Sequence, residues 1–155
     1  MKKVDIGIKG SKKLISLLEV LLASENVANL KTRKYHRNVE SKRFRGLHEY
    51  FEELYSASFE RIDELAERIR ILGAYTKGTF KEYLELSLVK EDEDNEVSET
   101  KMLENIVEDK LIILKALKDA IEEADDIDDI GTEGLLSGFL ESYEKDLWML
   151  RSMMK

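Results

Sequence analysis

The chain has 155 residues, a net charge of −8, eight glycines, no proline and no cysteine. That length suits one domain with a core of its own, and the missing cysteines exclude disulfides, cysteine-type zinc sites and thiol chemistry. No apolar run approaches the roughly 18–20 residues that span a bilayer, and the start, MKKVDIGIKGSKK, has no apolar signal-peptide core. A cytoplasmic protein is therefore expected, with no membrane partner.

Taken in order, residues 1–10 form a short polar lead with Lys2, Lys3 and Lys9, expected to be flexible. Residues 11–155 are expected to form one helical domain. A first helix is predicted over Ser11–Asn38, with Leu14, Leu17, Leu18, Leu21, Val27, Ala28 and Leu30 inward. Its end overlaps a basic stretch, 31–45, where Lys31, Arg33, Lys34, Arg37, Lys42, Arg43 and Arg45 face Glu40 alone. After a turn near 39–45, Leu47, Phe51, Leu54, Ser58 or Phe59, Ile62, Leu65, Ile69 and Leu72 recur at three- and four-residue steps, which predicts a long amphipathic helix. Gly73 is placed to stop it, because a left-handed residue after a helix costs glycine little.

Thr79-Phe80-Lys81-Glu82 has the form of a capping box and predicts a short helix to about Leu88. The acidic EDEDNE run, 91–96, reads as a solvated linker. A third long helix is predicted over Ser98–Ala124, with Leu103, Ile106, Val107, Leu111, Leu114, Leu117 and Ile121 inward. A fourth is predicted over Thr132–Met153, with Leu135, Leu136, Phe139, Leu140, Tyr143, Leu147 and Leu150 inward and Trp148 as a packing residue. Four long helices and a short one in the second crossover make an all-α four-helix bundle.

The chemistry-bearing residues gather on the second long helix and at the end of the first. His36 and His48 are the two histidines of the chain. A hairpin of the two helices brings them together near its turn. His48 and Glu52 are i,i+4 neighbours, as are Asp63 and Glu67, so each pair can point at one spot. The two pairs cannot share a spot within one chain. Fifteen residues of helix separate His48 from Asp63, roughly 22 Å at about 1.5 Å per residue, whereas a metal–ligand contact is about 2 Å. If they meet, they meet across a two-fold axis between antiparallel copies, with the small residues Ser56, Ala57 and Ser58 at the midpoint.

His36, His48, Glu52, Asp63 and Glu67, set within GLHEYFEELY and IDELAERIRILG, resemble the Dps family of mini-ferritins, and so does EKDLWML at 144–150. The resemblance runs from about Val27 to the end of the chain. It implies a ferritin-like four-helix bundle that oxidises ferrous iron, with hydrogen peroxide the preferred oxidant, and stores ferric mineral in a hollow dodecamer. It also implies the site: both histidines and Glu52 from one subunit, Asp63 and Glu67 from its two-fold mate, serving as iron ligands and as the catalytic set. Carboxylate oxygen and imidazole nitrogen suit ferrous iron. The di-iron site of ordinary ferritins, built on Glu-x-x-His inside one bundle, is not expected, since neither histidine has a glutamate three residues before it.

The chain departs from the family pattern at three places. Arg37 stands where tryptophan follows the first histidine, Ser41 where a glycine is usual, and Gly134 where an aspartate follows the threonine before the last helix. The family's three-fold pores lie at that last corner, so Asp125, Asp126, Asp128, Asp129 and Glu133 are the pore candidates, with Asp129 and Glu133 foremost. Several family members bind DNA through lysine-rich tails. The tail here is short and the chain acidic, so no stable DNA complex is expected. The rival reading is a Dps-like shell with impaired ferroxidase activity that compacts DNA or serves a structural role, which Arg37 and the basic stretch favour.

Overall fold

The structure is a computed structural model that describes residues 7, 8 and 10–155. The flexible lead expected over 1–10, with its lysines, lies largely outside the described residues. Five helices follow in order: α1 Lys12–Asn38, α2 Phe44–Ile71, α3 Phe80–Leu86, α4 Glu99–Asp126 and α5 Ile130–Met153. The described residues contain no strand. The architecture is the predicted all-α four-helix bundle, with the short α3 in the crossover between α2 and α4. α1 packs against α2, α3 and α4, and α4 against α5. No helix among the described residues is long and apolar enough to cross a membrane.

The helix ends follow from local chemistry. The Ser11 hydroxyl accepts from the Leu14 amide at 2.9 Å and starts α1. Thr79 and Glu82 form the predicted reciprocal capping box, although α3 ends at Leu86, two residues before the predicted limit. α2 stops in a Schellman motif: the Ala74 amide reaches the Ile69 carbonyl at 3.2 Å and the Gly73 amide reaches Arg70 at 3.0 Å, with Gly73 at φ 96°. α4 ends in the same motif, Asp129 to Ala124 at 2.8 Å and Asp128 to Asp125 at 3.0 Å. There the left-handed position is occupied by Asp128, at φ 57°.

Two apolar clusters fill the bundle. One, at the end away from the α1–α2 turn, includes Leu14, Leu18, Leu21, Leu65, Ile69, Ile113, Leu117, Leu136 and Phe139. The other, near that turn, includes Tyr35, Leu47, Phe51, Leu54, Met102, Leu103, Ile106 and Leu150. Three residues expected to be packed are instead substantially exposed: Leu30 at 41%, Leu111 at 52% and Trp148 at 58%. Each lies beside the inward stripe of its helix, where three- and four-residue spacing alone does not separate the flank from the centre.

The acidic segment 91–96 is solvated as expected, and it is also fixed in place. Although mostly exposed, it is no loose linker. The Lys34 ammonium donates to the Asp92 and Asp94 carbonyls, the Tyr35 hydroxyl donates to the Asp92 carboxylate, and the Asp94 and Glu96 amides close two Asx turns on Asp92 and Asp94. The basic end of α1 thus holds the crossover in place.

Candidate metal centre

The five-residue connection between α1 and α2 sets the two histidines face to face. Their rings stack with centroids 3.7 Å apart and planes 18° apart. His36 Nδ1 lies 2.7 Å from the His48 carbonyl, and His48 Nδ1 lies 2.7 Å from the His36 carbonyl. His36 stands in the last turn of α1, where helical geometry leaves carbonyls without an intrahelical partner, so His48 satisfies one of them. A carbonyl oxygen can only accept, so both Nδ1 atoms carry protons. In the neutral rings, Nε2 of each histidine therefore holds the free lone pair, the arrangement in which a backbone carbonyl fixes the tautomer of a metal-binding imidazole.

Aromatic side chains extend this pair along the hairpin. The Phe44 ring stacks on His48 at 5.1 Å, Tyr55 meets His36 edge-on at 5.3 Å, and Phe59 meets Tyr55 edge-on at 6.3 Å. Arg37, next to His36, is exposed and forms no hydrogen bond, ion pair or ring contact among the described residues. It does not lie on the histidine pair. Ser41 has a structural task. Its hydroxyl accepts from the Arg43 amide at 2.9 Å and donates to the Glu99 carboxylate, while Arg43 reaches Glu99 at 2.7 Å and the Met153 carbonyl at 3.1 Å. The turn carrying the histidines is thereby tied to the start of α4 and the end of α5.

Glu52, Asp63 and Glu67 are exposed on α2, and none of them forms a hydrogen bond or ion pair within the chain among the described residues. Among those residues, no three His, Asp or Glu side chains converge in a way that could hold a metal. The structure therefore brings His36 and His48 together and leaves the three carboxylates free on the same helix.

Midway along the bundle, between the two apolar clusters, lies a belt of buried polar groups that the sequence reading missed. Glu25 of α1, 2% exposed, accepts from the Ser58 hydroxyl at 2.8 Å, from Arg61 Nε at 2.9 Å and from the Tyr143 hydroxyl. Lys110 of α4 pairs with Asp146 of α5 at 2.8 Å, and Lys31 pairs with Asp109 at 2.8 Å. The Arg61 and Lys110 cations lie 4.8 and 4.3 Å from the Tyr143 ring centre. Burial pushes the Tyr143 hydroxyl well above its ordinary pKa and the Lys110 ammonium below its own.

Ser58-x-x-Arg61 on α2 and Tyr143-x-x-Asp146 on α5 have the i,i+3 spacing at which di-iron bundles carry Glu-x-x-His. Here a guanidinium and an ammonium occupy that interior, each already paired with a carboxylate, Glu25 or Asp146, that a metal would otherwise take as ligand. The signal in the sequence was a charged residue at an inward helical position, most plainly Glu25 and Arg61.

At the α4–α5 corner, Asp129 is half-buried and caps α5. It accepts from the Thr132 amide at 3.0 Å and from Arg68 at 2.6 Å, and Arg68 Nε also reaches the Thr132 hydroxyl at 2.7 Å. Gly131 leaves room for that guanidinium, since a Cβ there would lie 2.9 Å from it. Burial alone would raise the Asp129 carboxyl pKa, but the bonds from Thr132 and Arg68 outweigh it and hold the group below its ordinary value. Asp125, Asp126 and Asp128 are exposed at the same corner, and Glu133 is half-buried one turn into α5.

An all-α bundle with this connectivity, a short helix in its second crossover and imidazoles at the hairpin end, has the ferritin-like architecture. The ferritin-like domain family matches residues 15–155. DNA protection during starvation protein 2 of Bacillus anthracis is 40% identical over 144 residues, covering 93% of this chain and 98% of that protein. Among solved structures, Dps from Vibrio cholerae O1, described as a member of the ferritin-like diiron-carboxylate proteins, superposes with a TM-score of 0.90. It is 37% identical, with 93% of this chain and 90% of that chain covered. Dps from Staphylococcus aureus superposes with a TM-score of 0.90 at 35% identity, over 95% and 98% of the two chains. The chain belongs to the Dps mini-ferritins of the ferritin-like family.

Proposed function

We propose that this protein stores and detoxifies iron, oxidising ferrous ions at sites shared between two-fold-related copies and holding the ferric product inside a dodecameric shell. The observation that carries this reading is the locked histidine pair, with both Nδ1 protons held by carbonyls and both Nε2 lone pairs free. It stands on the same hairpin as three carboxylates that have no partner among the described residues. A second copy, antiparallel along α2, brings its own Asp63 and Glu67 to His36, His48 and Glu52. Iron is the substrate. Imidazole nitrogen and carboxylate oxygen hold the ferrous ion, and the carboxylates favour the more highly charged ferric product. Hydrogen peroxide, the expected oxidant, takes one electron from each of two ferrous ions and two protons from solvent, and its O–O bond breaks to give two waters. The exposed acids Asp125, Asp126 and Asp128, with Glu133, offer a negative entry path at the α4–α5 corner. Asp129, engaged in its cap, contributes less to that path than its position in the sequence implied.

Mixed dimers test the shared site. In a dimer of one His48→Ala subunit and one Asp63→Ala subunit, both lesions fall on the same one of the two sites and the other site is intact. Fast iron oxidation should return, up to about half of the wild-type rate, although neither mutant homodimer shows it. Were the ligands gathered within one chain, every site would carry a lesion and no activity would return.

A further inference from the structure

α2 begins without a cap of its own. Each of the other four helices is preceded by a side chain that accepts from an amide of its first turn: Ser11, Thr79, Ser98 and Asp129. Arg43, before α2, makes no such bond, and no acid stands in the first turn of α2. A helix start favours negative charge, yet the charged residues here are Arg43 and Arg45.

The missing anion comes from another helix. Glu99, the first residue of α4, accepts from Arg43 at 2.7 Å through one carboxylate oxygen and from the Ser41 hydroxyl through the other. That hydroxyl accepts from the Arg43 amide at 2.9 Å, and the Ser41 carbonyl accepts from the Phe44 amide at 3.1 Å. The clamp leads directly to the histidines. Phe44, next after Arg43, stacks on His48 at 5.1 Å. The lock between the imidazoles spans the connection that Glu99 holds, since each Nδ1 reaches the other residue's carbonyl across it, at 2.7 Å. A shift of the two helix ends by about 1 Å breaks both bonds, because a contact near 3.6 Å is no longer a hydrogen bond.

From this chain of contacts we infer that Glu99 is a positioning residue of the metal centre. Acting through Ser41 and Arg43, it fixes the α1–α2 turn so that both histidines keep the Nδ1–H form and present Nε2. The consequence for metal binding rests on the shared site proposed above; the geometry rests on the hydrogen bonds alone. Loss of a group that orients metal ligands in this way weakens metal affinity about 10- to 100-fold.

The chain has two histidines, so a nitrogen-15 histidine spectrum reports on this pair alone. Solid-state NMR of the assembled, metal-free protein at about pH 8, where imidazole is neutral, should show both wild-type rings protonated at Nδ1. Glu99→Ala should bring in the Nε2–H tautomer and weaken Co(II) binding, measured by calorimetry, about 10-fold. Glu99→Gln, whose amide can still accept from Arg43 and donate to Ser41, should restore the single tautomer and most of the affinity. A merely structural role would lower the stability of Glu99→Ala without moving a tautomer, so an unchanged spectrum overturns the inference whatever happens to Tm. Wild-type Co(II) affinity beside a changed spectrum overturns it too. Should Glu99→Ala fail to assemble, Ser41→Ala cuts one arm of the clamp and leaves the Arg43–Glu99 pair; it should give the same spectral change in smaller measure, and an unchanged spectrum there is equally fatal. Co(II) binding that survived intact in His48→Ala would instead bring down the shared site, while the tautomers would still decide the role of Glu99.

Discussion

Truncating Glu25 should be among the most damaging single changes available in this chain. Its carboxylate is the common acceptor for Ser58, Arg61 and Tyr143, at the level where all four long helices contribute polar side chains. Glu25→Leu has about the right volume but takes from the Arg61 guanidinium, 5% exposed, its ion-pair partner. Breaking a buried pair from one side costs about 3–5 kcal/mol, on the order of 10 °C in Tm for a chain of this size. Arg61→Met in the same molecule removes the stranded charge, so the double variant should recover most of that loss, because a hydrophobic pair of similar shape is nearly neutral. Urea unfolding of both variants at one fixed protein concentration measures this, the fixed concentration being needed because assembly contributes to apparent stability. A Glu25→Leu loss below about 1 kcal/mol, or a double variant no better than the single, refutes the reasoning. The first result would mean that water or relaxation serves Arg61 as well as Glu25 does.

Asp128 occupies the left-handed position of the α4 Schellman motif. Asp128→Gly should therefore stabilise the fold by up to about 1 kcal/mol, visible as a raised urea midpoint; an unchanged or lowered midpoint contradicts it. The mirror experiment, Gly73→Ala, should cost about 1 kcal/mol or more for the same reason. Asp129→Asn keeps a capping side chain but loses the charge opposite Arg68, for an expected cost of about 1 kcal/mol near neutral pH. The wild-type carboxyl is held below its ordinary value of 3.8, so its contribution is complete above that value and is lost as the pH falls through the lower folded value. The gap between wild type and variant should therefore close on acidification, and a gap that widens below pH 4 refutes the assignment.

Local chemistry in the sequence determined the helices and their limits. The absence of proline, the three- and four-residue apolar periods, Ser11, the Thr79–Glu82 box and Gly73 each act through neighbours a few residues away, so the chain states them directly. The spacing of His36, His48, Glu52, Asp63 and Glu67 was legible for the same reason, since position along a helix fixes which residues share a face.

Tertiary structure decided which face is covered and what each polar group meets. Leu30, Leu111 and Trp148 carry the right period but sit at the edge of the packed stripe, which depends on where the neighbouring helices lie. Arg37 and Arg33 are near-equals in sequence; only the crossing of α1 over α2 leaves one exposed and lays the other over Phe59. Asp129 reads as a foremost pore acid until Arg68, 61 residues away in the chain, pairs with it. The belt through Glu25, Arg61, Lys110 and Tyr143 was hidden most completely. Its members are 33 to 118 residues apart in their bonded pairs, and a buried charge is tolerable only when folding delivers its partner.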